Sequence, residues 1–263
     1  MRFKLTLTTT DRFPELTLNY QYPLSAIIYK ILQRADEDYA LFLHEQGYRH
    51  GSKTFKFLTF SDLRTPFTIR GDRLLMKTNQ AELIVCFHLP GAAEIFIRGL
   101  FLNQQIEIAD RKSKVAFTVE QVVAENSSIN SLENREVLLQ PMSPIVVSSK
   151  NEHGNYDYLS PEHEGYSELL INNLVDKYAA ANDKSAIELT SLKSAITITP
   201  VYFSHTPRHR LIAIKEGTSA ETKVKGYDKF RLSIQAPGDV IELALNAGIG
   251  SYNAMGMGSV EMI

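Results

Sequence analysis

The sequence predicts an α+β protein made of two tandem ferredoxin-like (RRM-like) domains with antiparallel sheets, spanning residues 1–128 and 135–263. Strand-like alternation and helix-like spacing follow one another in the order β-α-β-α-β with hairpins between, which is the ferredoxin-like pattern. That order ends in a polar, turn-rich stretch, "NSSINSLENRE" at 126–136, after which a similar order begins again. The 263 residues accommodate two domains of about 130, near the commonest domain size.

The first strand is "RFKLTLTTT", where Phe3, Leu5 and Leu7 alternate with polar neighbours. In "YPLSAIIYKILQRAD" the residues Leu24, Ile27, Ile28, Ile31 and Leu32 recur at helical spacing behind Pro23, whose fixed φ suits a first turn. "DEDYALFLHEQG" is a shorter helix, with acidic residues at its start and Gly47 past its end. "KTFKFLTFSDL", "FTIRGDRLLMKTN" and "ELIVCFHL" read as strands, with turns near Gly71-Asp72 and Asn79-Gln80. "GAAEIFIRGLFLNQQ" is the second long helix and "KVAFTVEQVVAE" a returning strand.

In the second half "VLLQPMSPIVVSS" is a strand interrupted by two prolines, and "PEHEGYSELLINNLVDKYAAA" is a helix. "KSAITITPVYFS", "HRLIAIKE" and "KVKGYDKFRLSIQA" read as three strands. "PGDVIELALNAG" is a short helix with Asp239 near its start, and "GSVEMI" is the last strand.

Hydrophobic residues at 44%, charged residues at 22% and ten prolines describe a globular chain without low-complexity tracts. The lone Cys86, inside "ELIVCFHL", excludes a disulfide framework and reads as a small apolar residue of a buried strand. "MRFKLTLTTTD" alternates where a signal peptide would be continuously apolar, and no run reaches membrane-spanning length, so a reduced, cytoplasmic protein with no membrane partner is expected. His88, His153, His163, His205 and His209 show no metal-ligand spacing, and neither a metal nor another cofactor is expected.

A net charge of −2 means that a polyanion would have to meet a local concentration of cations. Arg208, His209, Arg210, Lys215, Lys223, Lys225, Lys229 and Arg231 fall within 24 residues; taken alone they read as solvated strand faces. Near the C-terminus "NAGIGSYNAMGMGSVEMI" holds four of the fourteen glycines: Gly248, Gly250, Gly256 and Gly258. Such a cluster signals positive φ or close approach to the main chain. It follows a helix, enters a terminal strand and lacks the third glycine of a dinucleotide fingerprint, so that reading is rejected. What remains is a helix-to-strand loop along which a polyanion backbone could lie.

The spacing G-hydrophobic-G, five residues, G-hydrophobic-G resembles the glycine-rich motif of the CRISPR-associated repeat-RNA endoribonucleases, the sixth numbered CRISPR-associated protein family, in the RAMP superfamily. "IIYKI", "LHEQGY" and "FKFLTFS" resemble that family's first helical segment and the strand after it, so the resemblance spans nearly the whole chain. It implies a metal-independent endoribonuclease that cuts precursor CRISPR RNA within its repeats during antiviral defence. The family's tyrosine falls on Tyr29 and its histidine on His44. Its lysine falls on Lys56, directly before "FLTFS", with Lys53 as a competitor. The implied RNA-binding set is Gly248, Gly250, Gly256 and Gly258 with Lys223, Lys225, Lys229 and Arg231. Repeat RNA is the implied partner, and a CRISPR effector complex and a second copy of the chain are further candidates.

The chemistry asks for the same residue types. Cutting RNA without metal needs a base for the ribose 2′-hydroxyl, a donor for the departing 5′-oxygen and positive charge at the phosphorus. A histidine can move either proton near neutral pH, a lysine supplies charge, and a tyrosine hydroxyl can orient the phosphate. The products would be a 2′,3′-cyclic phosphate and a 5′-hydroxyl end. Read without the resemblance, His44 caps a helix dipole, Tyr29 borders a core and Lys56 is a solvated strand residue. His50, in the same loop, is the understudy to His44. The other function weighed is a non-catalytic RNA-binding subunit of a CRISPR effector complex, which has no need of His44. No aromatic RNP signature is present, so a sheet face is not expected to be the RNA platform.

Overall fold

A computed structural model of the chain describes residues 1–125, 134–182, 184–203 and 207–263. Most of the expected boundary stretch, and His205, lie outside the described residues.

The first half runs β1 (Arg2–Thr8), β2 (Glu15–Thr17), α1 (Gln21–Ala35), α2 (Glu37–Glu45), β3 (Tyr48–His50), β4 (Lys53–Phe55) and β5 (Leu58–Phe60). It continues with β6 (Phe67–Arg70), β7 (Arg73–Met76), β8 (Gln80–Phe87), α3 (Pro90–Leu102), β9 (Gln105–Ala109) and β10 (Lys114–Glu125). Five of these strands form an antiparallel sheet in the order β5-β8-β1-β10-β9. Leu5 and Leu7 of β1, on alternate positions, meet Leu24, Ile28 and Leu32 of α1 and Phe96 and Leu100 of α3 in one core.

The second half runs β11 (Asn134–Pro141), β12 (Ser148–Lys150), β13 (Tyr156–Tyr158), α4 (Tyr166–Ala181), α5 (Ala186–Ala195) and β14 (Thr197–Tyr202). Then come β15 (His209–Ile214), β16 (Thr222–Tyr227), β17 (Phe230–Pro237), α6 (Gly238–Ala247), a 3₁₀ turn (Asn253–Met255) and β18 (Val260–Met262). Its sheet order, β14-β17-β11-β18, repeats the arrangement of β5-β8-β1-β10: each half places its second, third, first and fourth framework strands side by side. This is the ferredoxin-like order, used twice. Leu170 and Leu174 of α4, Ile241 and Ala244 of α6 and Leu232 and Ile234 of β17 form the second core.

Several elements differ from the sequence expectation. "KTFKFLTFSDL" is two strands, because Phe57 takes a positive φ of 52° and turns the chain between them. "KVKGYDKFRLSIQA" is also two, β16 and β17, parting at Asp228-Lys229, and β16 leaves the main sheet to pair with β15. Helix α5, unexpected, takes the first residues of the segment read as the strand "KSAITITPVYFS". It buries none of its residues and is held at its start by a reciprocal Ser185–Glu188 capping box. Cys86 is fully buried, and burial pushes its thiol up to about 12.

The halves are joined by specific contacts. Asp62 accepts hydrogen bonds from Tyr20 and Gln21 and forms an ion pair with Arg210, which also reaches Asp228 at 3.3 Å. Glu261 of β18 is held by Arg2 at 3.3 Å and Arg64 at 2.9 Å. Phe55 and Phe57 pack against Leu243 and Ala247 of α6.

Helices α1 and α3 cross so closely at Gly99 that a Cβ there would stand 1.8 Å from the Ile31 carbonyl oxygen. Gly99→Ala should therefore force the helices apart and lower stability by about 1–3 kcal/mol, an overpacking cost. Urea unfolding of the parent and variant checks this, and an unchanged midpoint would show that the crossing relaxes freely.

Candidate active site

Helices α1 and α2 meet the glycine stretch of the second half around a cavity of about 650 Å³. Tyr29, His44, Lys53 and Lys56 line it from the first half; Asn173, Lys177, Ser251, Tyr252 and Met255 line it from the second. The structure thus gathers Tyr29, His44 and both candidate lysines in one cleft.

Helix α2 starts on Asp36, whose carboxylate accepts from the Tyr39 N–H at 2.8 Å, and its last turn carries His44. This brings the His44 ring edge-on to the Tyr29 ring, with centroids 5.9 Å apart and planes at 88°. Tyr29 is half-buried against the first core, and burial pushes its phenol up to about 12, so it stays protonated at neutral pH. His44 is exposed on the cavity side.

Lys56 Nζ donates to the His44 carbonyl at 3.2 Å. Burial, and then the nearby Arg49 charge, hold its pKa below the ordinary lysine value. Gly47, φ 64°, makes that placement feasible: a Cβ there would lie 2.7 Å from the Phe55 carbonyl and 3.0 Å from Lys56 Nζ. Lys53 is drawn the other way, into an ion pair with Asp176 of α4. His50 also faces that carboxylate, Nε2 to Oδ1 4.0 Å, and does not line the cavity.

The glycines have a different reason from the one expected. All four are buried with positive φ: 79° at Gly248, 72° at Gly250, 82° at Gly256 and 67° at Gly258. What comes close is the protein itself. A Cβ at Gly250 would stand 2.5 Å from the Val146 carbonyl, at Gly256 2.4 Å from the Phe60 ring, and at Gly258 1.9 Å from the Ile249 carbonyl. The loop amides are largely spent internally, Ile249 on Gly258, Ser251 on Val146 and Gly258 on Pro144, each at 2.8 Å. The glycines let the loop fold onto itself and onto β5, and the cavity sees the side chains between them.

Lys223, Lys225, Lys229 and Arg231 are not brought to this cavity. Alternation along β16 turns Val224 onto Met257 under the glycine loop, leaving Lys223 and Lys225 on the opposite side. Lys223 lies 3.5 Å from Glu221. Arg231 sits on the sheet face away from the second core, 3.4 Å from Gln140, with its guanidinium 4.8 Å from the centroid of the Phe203 ring. Arg210, counted in the same basic run, is occupied by Asp62.

Sequence reasoning missed Lys177, Asn173 and Tyr252. Lys177 is buried at 2% exposure and donates to the carbonyls of Gly248 at 2.7 Å and Gly250 at 3.1 Å, and to Asn253 Oδ1 at 2.7 Å. Its signal was present: Leu170, Leu174 and Lys177 share a helical stripe, so a cation stands where periodicity assigns core. Tyr252 holds a left-handed φ of 61°, and the Asn173 side-chain oxygen is buried without a hydrogen-bond partner. Neither has a sequence signature. Among the described residues no three His, Cys, Asp or Glu side chains gather where they could hold a metal ion, and no helix is long and apolar enough to cross a membrane.

Two family models match the chain: "CRISPR-associated protein Cas6, N-terminal" over residues 15–123 and "CRISPR associated protein Cas6, C-terminal" over residues 125–262. A CRISPR-associated endoribonuclease Cas6 of Methanocaldococcus jannaschii is 27% identical, across 99% of this chain and 92% of the relative. Among solved structures, an RAMP protein binding different RNA substrates aligns with TM-score 0.80 at 16% identity, covering 100% of this chain and 99% of that one. A Cas6-related protein from Pyrococcus furiosus aligns with TM-score 0.79 at 16% identity, covering 100% and 98%. The two family matches together run through both halves of the fold, and the chain belongs to the Cas6 family of CRISPR-associated proteins.

Proposed function

We infer that the protein is an endoribonuclease that matures CRISPR RNA in the cytoplasm. It cuts the precursor transcript within its repeats, without metal, to leave 2′,3′-cyclic phosphate and 5′-hydroxyl ends. The observation that carries this reading is the edge-on Tyr29–His44 pair, with Lys56 tied to the same helix end, inside a cleft that the glycine loop closes. Residues 1–128 form the catalytic unit in this reading, and residues 135–263 supply the opposite wall.

His44, exposed in the cleft, exchanges protons with the reacting oxygens. Tyr29, whose phenol keeps its proton at neutral pH, donates a hydrogen bond that orients the scissile phosphate. Lys56 is favoured over Lys53 for the phosphate charge, because Lys53 already neutralises Asp176. RNA lies on the cavity side of the glycine loop, on Ser251, Tyr252 and Met255. Lys223, Lys225, Lys229 and Arg231 serve more distant phosphates of the same strand.

His44→Ala should slow single-turnover cleavage of a labelled repeat RNA in EDTA by about a hundred- to ten-thousand-fold, the usual range for an acid–base group. Binding should stay within a few-fold, since the imidazole acts mainly in the transition state. His50→Ala, outside the cleft, should cut at the parent rate. A 2′-deoxy nucleotide at the cleaved position should block the reaction. Parental cleavage by His44→Ala, or cutting of the deoxy substrate, overturns the mechanism, and binding without any cleavage by the parent favours an RNA-holding subunit.

Repeat binding should weaken steeply with salt. Each phosphate contact removed by charge reversal at Lys223, Lys225, Lys229 or Arg231 should lower the log–log slope by about 0.7. An unchanged slope in all four variants would make the cluster a solvated face only.

A further inference from the structure

Lys177 is a buried ammonium beside the cleft whose three bonded partners are all neutral oxygens. No carboxylate of the described residues lies within ion-pair distance of it. A buried charge ordinarily keeps a counter-charge, because desolvation costs several kcal/mol per ion otherwise. The C-terminal end of α6 compensates in part, since Gly248, which caps that helix, turns its carbonyl onto Nζ where the helix dipole favours a cation.

We propose that Lys177 is a positioning residue whose missing counter-charge is a phosphate of the RNA bound in the cleft, so that RNA binding, order in the glycine loop and protonation of Lys177 form one coupled event. This rests on the endoribonuclease reading and adds to it a residue and a proton. In the protonated state Lys177 ties Gly248, Gly250 and Asn253 together, and that tie sets where Ser251 and Tyr252 stand opposite His44. A neutral amine has one donor fewer for the same three acceptors, so the loop loosens when the proton leaves.

The neighbouring charges leave that vacancy to RNA. On α4 itself Asp176 is taken by Lys53 of β4 and faces His50 of β3, and Glu168 lies 3.5 Å from Lys193 of α5. Asp239 of α6 accepts from Tyr178 at 2.6 Å, and Glu188 of α5 binds Lys184 at 3.1 Å. Glu242 of α6 makes no ion pair with Lys177. From β14, Tyr202 donates to the Pro161 carbonyl. Arg49 of β3 and, across the cleft, Lys56 and His44 add basic groups, and Tyr29, Tyr156 and Tyr252 bring phenols but no carboxylate.

Burial lowers the Lys177 pKa to about 7. An unfolded lysine titrates near 10.4, so this group opposes folding most below about pH 7, and the penalty eases as pH rises. A phosphate nearby favours the ammonium and moves the titration upward. Above about pH 7, binding RNA therefore takes up a proton, and affinity falls with rising pH by at most about tenfold per unit.

The test is a ¹³C-NMR pH titration of the lysine Cε signals in the full chain. It is run alone and with a CRISPR repeat RNA that the parent protein cleaves, carrying 2′-deoxy at the cleaved nucleotide. Lys177→Arg and Lys177→Met each remove the Lys177 signal and so assign it. The expected result is titration near neutrality without RNA and at least about one unit higher with it, a tenfold change in proton affinity. Calorimetry in buffers of different ionisation enthalpy, on a His44→Ala background, should show proton uptake that Lys177→Met reduces. Lys56 and His50 are unchanged in that comparison, so their own uptake cancels. Lys56→Met, outside the buried contacts of Lys177, removes the other depressed lysine, so the signal that stays near neutrality in that variant is assigned to Lys177 even if the Lys177 variants fail to fold. Titration at one pH in both states, or only above about pH 9.5 in the free protein, overturns the proposal. RNA that does not bind at all defeats the endoribonuclease reading, and this proposal falls with it.

Discussion

The candidate site exists because one loop can approach closer than side chains would allow. Residues 248–258 cross Val146, Phe60 and their own carbonyls at separations that exclude a Cβ, and each of the four glycines has a positive φ. This close fit lets the 3₁₀ turn seat against β5 and α1, where the Ser25 hydroxyl donates to the Ala254 carbonyl at 2.6 Å and the Thr59 hydroxyl to the Met257 carbonyl at 3.2 Å. The cleft is the space left beside that contact. Its floor comes from one half and its roof from the other.

The two main cores lie within the halves, which meet through a small apolar contact of Phe55 and Phe57 with Leu243 and Ala247 and through directional polar contacts. Asp62 is the densest of these: it joins α1, through Tyr20 and Gln21, to Arg210, while its N–H donates to the Met142 carbonyl at 2.9 Å. Glu261 plays a matching part at the other end of the seam, held by two arginines of the first half. Such contacts are directional, and an apolar seam would tolerate sliding that they resist.

The framework of both halves was legible because its strands and helices obey a clear period: Phe3, Leu5 and Leu7 on β1, Ile27, Ile28, Ile31 and Leu32 on α1. Elements that lean on little else were not. Helix α5 has no fully buried residue and rests on the second core only through half-buried Leu189 and Leu192, too thin an apolar stripe to read, and Phe57 breaks a strand through a backbone angle that its side chain does not advertise. Tyr29, His44 and Lys56 were named through a resemblance, and their meeting depends on α2 folding back along α1, which spacing alone does not state. The glycines were noticed for positive φ and close approach, and the protein atoms that crowd them, Val146, Phe60 and Ile249, are remote or unmarked in the sequence, since what crowds a main chain is a three-dimensional fact. Arg210 counted as one of a basic run because its partner Asp62 is remote in the chain. Lys177 was the most recoverable loss, a cation on a core stripe.

The cleft is lined by residues 29–58 on one side and by residues 146–177 and 247–255 on the other, so the site is a contact between segments remote in sequence. Contacts of such sequence separation carry the largest loop-closure entropy and form late, after local helices and hairpins. A growing chain on the ribosome therefore presents Tyr29, His44 and Lys56 long before it possesses a cleft to hold them. The cleft is complete only once the glycine loop has folded over them, and that loop leads directly into β18, which pairs with β11.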